Sequence, residues 1–315
     1  MKSIGGYFEL ELNVDYSTEY YKDLVRLNTA RNALEYIIKV KKYKKVYIPF
    51  FTCDVVLEPF EKLGVPYEFY HINADLEPVF DFDRLDGAEA FLYTNYFGIK
   101  DAYIMKLSGF IQNLIIDNAQ SFFSKPIDKV STFYSPRKFF GLSDGAYVLC
   151  ETKLELELEE DFSYERMSHL LIRADKNAED GYAAFSYNDI SLINQPIKKM
   201  SKLTHKLLCS VDYEETKRRR KENFTFLHKI LKDKNLLKFE ILEDSVPLVY
   251  PFWTENHNLR SSLIENKIYC ATYWPNVIKW CSDSDVEVML TNGIVHLPID
   301  QRYSINDMRK ILQYV

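Results

Sequence analysis

The chain is 315 residues long, enough for one large domain or two with a sizeable core. Hydrophobic residues make up 47% and charged residues 27%, the balance of a soluble globular protein, and the net charge of −6 is spread along the chain, which excludes an electrostatic footprint for nucleic acid. Five scattered cysteines with no CxxC indicate neither a zinc site nor a disulfide framework, and an acidic N-terminus without an apolar run leads us to expect a cytoplasmic protein.

Residues 1–15 hold Ile4-Gly5-Gly6-Tyr7-Phe8 and then an alternating Glu-Leu-Glu-Leu segment, read as an N-terminal arm anchored by Tyr7 and Phe8 with a short strand. Ala30, Ala33, Leu34, Ile37 and Ile38 fall at helical spacing behind Asn28 or Thr29 as N-cap. The start of such a helix is an anion site, because its first N–H groups are unspent and its dipole end is positive. Arg31 would add a guanidinium there. Val46–Pro49 reads as a strand, Val55–Leu63 as a helix ended by Gly64-Val65-Pro66, and Tyr67–Ile72 as the next strand, a βαβ pattern with parallel strands. Ala90–Thr94 is another buried strand, followed by the turn Asn95-Tyr96-Phe97-Gly98 and a helix over 101–112.

The most informative stretch runs from Asn113 to Ala146. Leu114-Ile115-Ile116 is a short buried strand that ends at Asp117, with Gln120 three residues on. Val130–Tyr134 is a second strand, delivering Ser135, Pro136, Arg137 and Lys138 at its carboxyl end. Ligands of open α/β sheets bind outside the carboxyl ends of strands, so Asp117 and Lys138 point into one crevice. A surface acid and a surface lysine are the bland alternative for such a pair. Asp144-Gly145-Ala146 and the strand Ala146–Cys150 complete an alternating α/β domain over residues 44–150.

Beyond it, Glu151–Asp161 is acidic with alternating leucines, read as a strand or edge and a solvated loop, and Ser163–Ala174 is an amphipathic helix. Asn194–Leu208 is expected to be helical after Pro196, with a basic face. Tyr213–Asp233 is a long helix whose run Lys217-Arg218-Arg219-Arg220-Lys221 is read as a solvated face. The remainder reads as a small α+β domain, with strands at Lys238–Leu242, Leu248–Phe252 and Ile294–Pro298, a helix over Asn258–Glu265, and a final helix Asn306–Tyr314 capped by Ser304. Domain limits of 1–235 and 236–315 follow.

The Asp117-Asn118-Ala119-Gln120 segment resembles the D-A-A-Q element of the DegT/DnrJ/EryC1/StrS sugar aminotransferases, and its spacing to Lys138 resembles a fold-type I pyridoxal-phosphate (PLP) site. The chemistry accounts for the residue types: a lysine amine to attach the cofactor, and a carboxylate to keep the pyridine nitrogen protonated. Further matches are looser. Thr29-Ala30-Arg31 resembles the family's S-G-T phosphate turn, and YIPFFTCDVV resembles V-P-x-F-T-F/W, with Cys53 where an aromatic covers the pyridoxal ring. Asn95-Tyr96-Phe97-Gly98 resembles H-x-Y-G, and Asn194 to Ser201 resembles an N-x-R-M-S segment that reaches a neighbouring subunit's cofactor. Ser135 resembles the serine of S-x-x-K in other fold-type I enzymes; where the family carries a serine five residues before the lysine, this chain has Phe133.

The resemblance implies a fold-type I α/β architecture, a mainly parallel sheet flanked by helices with a small C-terminal α+β domain. It implies PLP as cofactor and a homodimer that aminates a nucleotide-linked keto-sugar from a donor such as glutamate, in polysaccharide or glycan precursor synthesis. Lys138 would be catalytic. Asp117 would pair with the pyridine nitrogen and Gln120 with the phenolic oxygen. Ser135, Thr29, Ala30 and Arg31 would serve the phosphate, with Thr132 as a substitute, and Cys53 would lie against the ring. Tyr273 and Trp274 would face substrate, Gly6 or Tyr7 could lie near it, and Asn194 would come from the partner subunit. Two alternatives stay open: another PLP enzyme acting on a sugar, since related dehydratases carry histidine in place of this lysine, and a non-catalytic or regulatory binding protein.

Overall fold

A computed structural model describes residues 6–315, so Ile4 and Gly5 of the expected arm lie outside the described residues. Eight strands form the main sheet: β1 (Val25–Leu27), β2 (Lys45–Pro49), β3 (Tyr67–Ile72), β4 (Pro78–Val79), β5 (Glu89–Thr94), β6 (Leu114–Asn118), β7 (Ser131–Tyr134) and β8 (Ala146–Leu149). Their spatial order is β1-β8-β7-β6-β5-β2-β3-β4. The five strands from β7 to β3 are parallel, whereas β8 runs antiparallel between β7 and β1, and β4 antiparallel on β3.

The apolar runs form strands because both faces of the sheet are covered. Side chains alternate along each strand. Ala90, Leu92, Ile115, Phe133 and Val148 bury on one side with Ala33, Leu34, Ile37 and Ile38 of the helix Ala30–Lys41. Phe91, Tyr93, Ile116, Tyr134 and Tyr147 bury on the other, in a larger cluster that continues through the helix Tyr213–Leu231 into the C-terminal region. The chain steps outward from β2 to β3 and then returns to the opposite side for β5, β6 and β7. The strand order therefore reverses between β2 and β5, which opens a crevice at their carboxyl ends.

The C-terminal region closes over that crevice. It is built on an antiparallel ribbon of β9 (Val249–Trp253) and β10 (Ile294–Pro298), with helices at Leu259–Glu265, Val277–Trp280, Val286–Gly293 and Ile305–Ile311. Its contacts fall at or just past the ends of three parallel strands. The Leu248 N–H donates to the Phe97 carbonyl (2.8 Å), the Asn276 amide to the Thr52 carbonyl (2.9 Å), and the Ile72 N–H to buried Glu287 (2.7 Å).

Several elements differ from the sequence reading. Residues 9–12 form no strand, and Tyr7 and Phe8 are exposed and anchor nothing among the described residues. The acidic stretch after β8 forms no strand either: Leu154 and Leu158 pack partly against the core while Leu156 faces solvent, so its alternation marks a surface crossing. Lys238–Leu242 is irregular. In the 194–208 segment only Lys202–Leu208 is helical, because Asn194 sits in a left-handed turn at φ +56° and residues 195–200 run without helix, held by Asn28 and by the bridge of Lys199 to Leu27. The helix Ala178–Ser191 was not anticipated; its apolar residues lack a single-sided stripe. Thr29, rather than Asn28, caps the helix Ala30–Lys41, accepting from the Asn32 N–H at 3.1 Å.

The approach to β1 is fixed by one buried carboxylate. Glu19 accepts from Arg26 Nε (2.6 Å) and Nη2 and from the Tyr147 hydroxyl (3.0 Å), and lies 3.2 Å from His205 Nε2. Burial would raise its pKa, but Arg26, His205 and Tyr147 outweigh that and hold it down to about 2. A depressed carboxylate contributes stability that is present above its unfolded pKa near 4.5 and lost as pH falls towards about 2. Glu19→Gln should therefore lower unfolding free energy by roughly 1–3 kcal/mol at pH 7. Urea melts at pH 7, 4 and 2.5 check this: the gap between wild type and variant should close on acidification.

Candidate active site

Lys138 stands on a single 3-10 turn, Pro136–Lys138, directly after β7. The backbone is fixed on both sides of it. The Lys138 N–H donates to the Ser135 carbonyl (3.2 Å), and the N–H groups of Phe139 and Phe140 to that of Pro136 (2.9 and 3.0 Å). Phe139 and Phe140 then bury in an aromatic cluster with Phe122, Phe123 and Tyr213. Lys138 itself is exposed, and among the described residues nothing hydrogen-bonds or pairs with its Nζ.

Asp117 lies on the adjacent strand β6, almost fully buried, with the Ala119 N–H donating to its Oδ1 at 2.8 Å. Burial raises its pKa, and the charge of Lys138 partly opposes that, which places the acid and the lysine in one electrostatic neighbourhood. Gln120 completes the group. Its Oε1 accepts from the Phe97 N–H (2.9 Å), while its buried Nε2 has no partner among the described residues. The Gln120 loop is pressed against the turn after β5, where Phe97 and Gly98 take φ of +56° and +73°. A Cβ on Gly98 would meet the Gln120 carbonyl at 3.1 Å and Pro247 Cα at 3.2 Å, so a side chain there would push both segments apart. Asn95, before that turn, binds Asp101 and Asn118 (2.7 and 3.0 Å) and is internal scaffolding.

The remaining sequence candidates divide. Cys53 is half-buried near Lys138; burial raises its pKa and the lysine charge lowers it. Phe51 is wholly buried against Tyr96 and Trp274 and presents no free ring in its place. Trp274 is thus core. Tyr273 instead lines a cavity of about 760 Å³ together with Lys138. Ser135 is buried, and no partner holds its hydroxyl among the described residues. Thr29 spends its hydroxyl on Asn32, donating to Oδ1 at 2.7 Å while capping the helix. No acceptor among the described residues takes the N–H of Ala30 or Arg31. Arg31 lies 3.8 Å from Glu58, with a buried Nη1 left without a partner among the described residues. The Asn194 N–H donates to the same Glu58 (3.0 Å), while Asn194 itself is exposed. Thr132 donates to the carbonyl of Val130, just before its own strand.

Asp144 serves the fold. It is buried, accepts from Ser163 (2.7 Å) and Thr204, and pairs with Arg166 at 2.8 Å. Beside it Gly145, at φ +100°, sits where a Cβ would come within 2.8 Å of the Thr204 methyl.

Two residues beside the lysine escaped the sequence reading. Arg220, placed there in a solvated run, is 1% exposed. It donates to Gln301 (2.9 Å) and to the carbonyls of Leu248 (3.0 Å), Pro247 (3.3 Å) and Phe139 (3.4 Å), and stacks 4.5 Å over the Phe139 ring. Its neighbours do face water, with Lys217, Arg218 and Arg219 paired to Glu214, Glu215 and Glu222. The Tyr213–Leu231 helix buries one side, and Arg220 falls at the i+7 position from Tyr213 and the i−4 position from Phe224. That stripe was the available signal. His296, on β10, is the second. One trio with metal-ligating side chains also assembles, Glu19, His205 and Cys209, although their spacing in sequence is unremarkable. Arg26 occupies both carboxylate oxygens and burial pushes the Cys209 thiol up to about 11, so the trio is a charge network with a resident cation.

No protein-family profile and no curated protein sequence matches this chain. Solved structures do. Sugar aminotransferase CalS13 from Micromonospora echinospora superposes with a TM-score of 0.62 over 92% of this chain and 86% of its own, at 13% identity. A DegT DnrJ EryC1 StrS aminotransferase from Brucella abortus gives 0.60 over 96% and 90%, at 15% identity. NtdA from Bacillus subtilis, with bound cofactor PMP, gives 0.62 over 92% and 71%, at 13% identity. The chain thus has the fold of these aminotransferases, the mainly parallel α/β architecture read from its sequence. Among the described residues no helix is long and apolar enough to cross a membrane.

Arg220→Met should cost about 3–5 kcal/mol, because it strands the buried carbonyls of Pro247 and Leu248 and frees the Gln301 amide oxygen, leaving the Phe139 carbonyl to Gln301 alone. Arg218→Ala, on the wet side of the same helix, should change stability by less than about 1 kcal/mol. Paired denaturant titrations read both.

Proposed function

We propose that this chain is a PLP-dependent aminotransferase of the DegT/DnrJ/EryC1/StrS kind, moving an amino group from an amino acid such as glutamate to a nucleotide-linked keto-sugar in polysaccharide or glycan precursor synthesis. The observation that carries the reading is a buried carboxylate, Asp117, facing an unpaired lysine, Lys138, at the carboxyl ends of neighbouring strands in a fold shared with sugar aminotransferases.

The residues fit the cofactor. Burying Asp117 without a partner cation is costly, and a protonated pyridine nitrogen would relieve that cost. The unpartnered Nε2 of Gln120 is a donor suited to the phenolic oxygen. Since Thr29 spends its hydroxyl on capping, the free N–H groups of Ala30 and Arg31 are what that helix offers a phosphate, with the Ser135 hydroxyl and the unpartnered Arg31 Nη1 as further donors. Cys53 takes the ring-side position and Tyr273 the substrate side. Bound there, PLP supplies an electron sink for bonds at the amino-bearing carbon. Lys138 Nζ would hold the cofactor and is the base that would move a proton at that carbon. Asp117 would pair with the ring nitrogen and favour its protonated form. The C-terminal region excludes water by closing over the strand ends.

A homodimer and a cytoplasmic location belong to the same proposal. Helices Ser168–Asp175 and Ala178–Ser191 expose Leu171, Tyr182, Tyr187 and Ile190, followed by Ile193, an apolar surface suited to a second copy. The exposed side chain of Asn194 lies at its edge, available to the partner's cofactor. Five free cysteines suit a reducing compartment.

Purified protein with PLP should show a visible absorption band that borohydride removes while fixing the cofactor to Lys138. Lys138→Ala should abolish band and turnover with the fold intact, since the side chain is exposed and unbonded. Asp117→Asn should still bind PLP but lose about 3–5 kcal/mol of transition-state stabilisation, read as kcat/KM. A protein that stays colourless with added PLP would overturn the assignment. Sedimentation across a dilution series should show a dimer whose dissociation weakens the band, and a monomer with an undiminished band would remove Asn194 from the site.

A further inference from the structure

His296 sits at the centre of β10, 1% exposed, on the wall of the cavity that Lys138 and Tyr273 also line. Its ring is fixed. It packs edge-on to Tyr273 at 4.6 Å between centroids and lies 4.9 Å from Phe97. Its Nδ1 is 3.0 Å from the Ala271 carbonyl. A carbonyl only accepts, so Nδ1 carries the hydrogen and Nε2 is left as a bare lone pair. Burial drives the imidazole pKa down to about 3, against the opposing carbonyl bond, so the ring stays neutral. Nε2 is buried and has no partner among the described residues. An acceptor kept in that state costs about 1–3 kcal/mol, and such a group in a cavity wall is satisfied by what the cavity takes up.

Two kinds of substrate would enter this cavity on the proposed transaminase reading, and they differ in what they can donate. An amino acid such as glutamate offers one donor group, its ammonium, and that nitrogen is engaged at the cofactor; its carboxylates only accept and would face the Nε2 lone pair unfavourably. A sugar ring carries several hydroxyl donors that take no part in the chemistry. Resting on that reading, we infer that His296 is the specificity-determining acceptor for the sugar, its Nε2 receiving a hydrogen bond from a ring hydroxyl of the keto-sugar held between Lys138 and Tyr273. A site built to accept from a hydroxyl disfavours analogues lacking it, because its own polar group is then left unpaired.

The test separates the two half-reactions on PLP-loaded enzyme. Glutamate alone bleaches the visible band, and a nucleoside-diphospho-4-keto-6-deoxyhexose added afterwards restores it. His296→Phe keeps the ring shape without the acceptor, and His296→Gln returns an acceptor oxygen. The expected result is a KM for the sugar nucleotide raised about tenfold more than that for glutamate in His296→Phe, with most of the loss recovered in His296→Gln. In 15N-histidine spectra the His296 Nε2 signal should move on adding sugar nucleotide and stay on adding glutamate. Equal losses in both half-reactions, or an unchanged sugar KM, would overturn the assignment. A wild-type band that no amino acid bleaches would instead overturn the transaminase reading beneath it.

Discussion

The structure depends on one buried cation. Arg220 leaves the long helix Tyr213–Leu231 and ends among the carbonyls of Phe139, Pro247 and Leu248 with the Gln301 amide, so a single guanidinium joins the lysine turn, the entry to β9 and the segment after β10. Gln301 closes the same knot by donating to the Phe139 carbonyl at 2.7 Å. Burial pushes the Arg220 pKa down to about 10, still far above neutrality, so the charge persists and must be solvated by protein dipoles. The five N–H groups of arginine make that possible on several segments at once, which a lysine could not do from one point. Position and rigidity of Lys138 follow from this knot and from the aromatic anchorage of Phe139 and Phe140.

Around that fixed point the crevice leaves its chemistry-bearing groups unmet. The Asp117 carboxylate, the Gln120 amide nitrogen, the Ser135 hydroxyl and the Lys138 amine all sit at or near the ends of β6 and β7, short of partners, while scaffolding polars such as Asn95, Asp144 and Thr29 are fully engaged. A folded chain normally pairs its buried polar groups. His296 Nε2, in the wall of the cavity that Lys138 also lines, is likewise without a partner among the described residues.

Much of the scaffold was legible because its signals are local. β3 and β10 fall on the stretches read from their apolar patterns, β2, β5, β6, β7 and the helix at 213–231 lie within two residues of expectation, and the helix at 30–41 contains the five apolar positions that pointed to it. Asp117, Gln120 and Lys138 were singled out by resemblance to a pyridoxal-phosphate layout, and the structure sets Asp117 and Lys138 at neighbouring strand ends in one electrostatic neighbourhood. Segments whose conformation is set by a distant neighbour were not legible. Residues 195–200 are kept out of a helix because Asn28 and Leu27 hold them, and the leucine alternation after β8 records a surface crossing. β1, of three residues, exists only because β8 pairs with it.

The sequence by itself determined the α/β class, the parallel strands and the placement of an acid and a lysine at strand ends, since periodicity of two or of 3.6 and turn chemistry are carried by neighbouring residues. Tertiary structure alone decided which charges are buried. Arg220 is one of five basic residues in a row, and only the packing of its helix against β9 and the lysine turn takes it out of water. Likewise Trp274 became core and Tyr273 cavity wall, although they are adjacent, and His296 became a neutral acceptor because the Ala271 carbonyl folded against its Nδ1. Burial and hydrogen-bond partnership are properties of what lies across space, and residues far apart in the chain supply it.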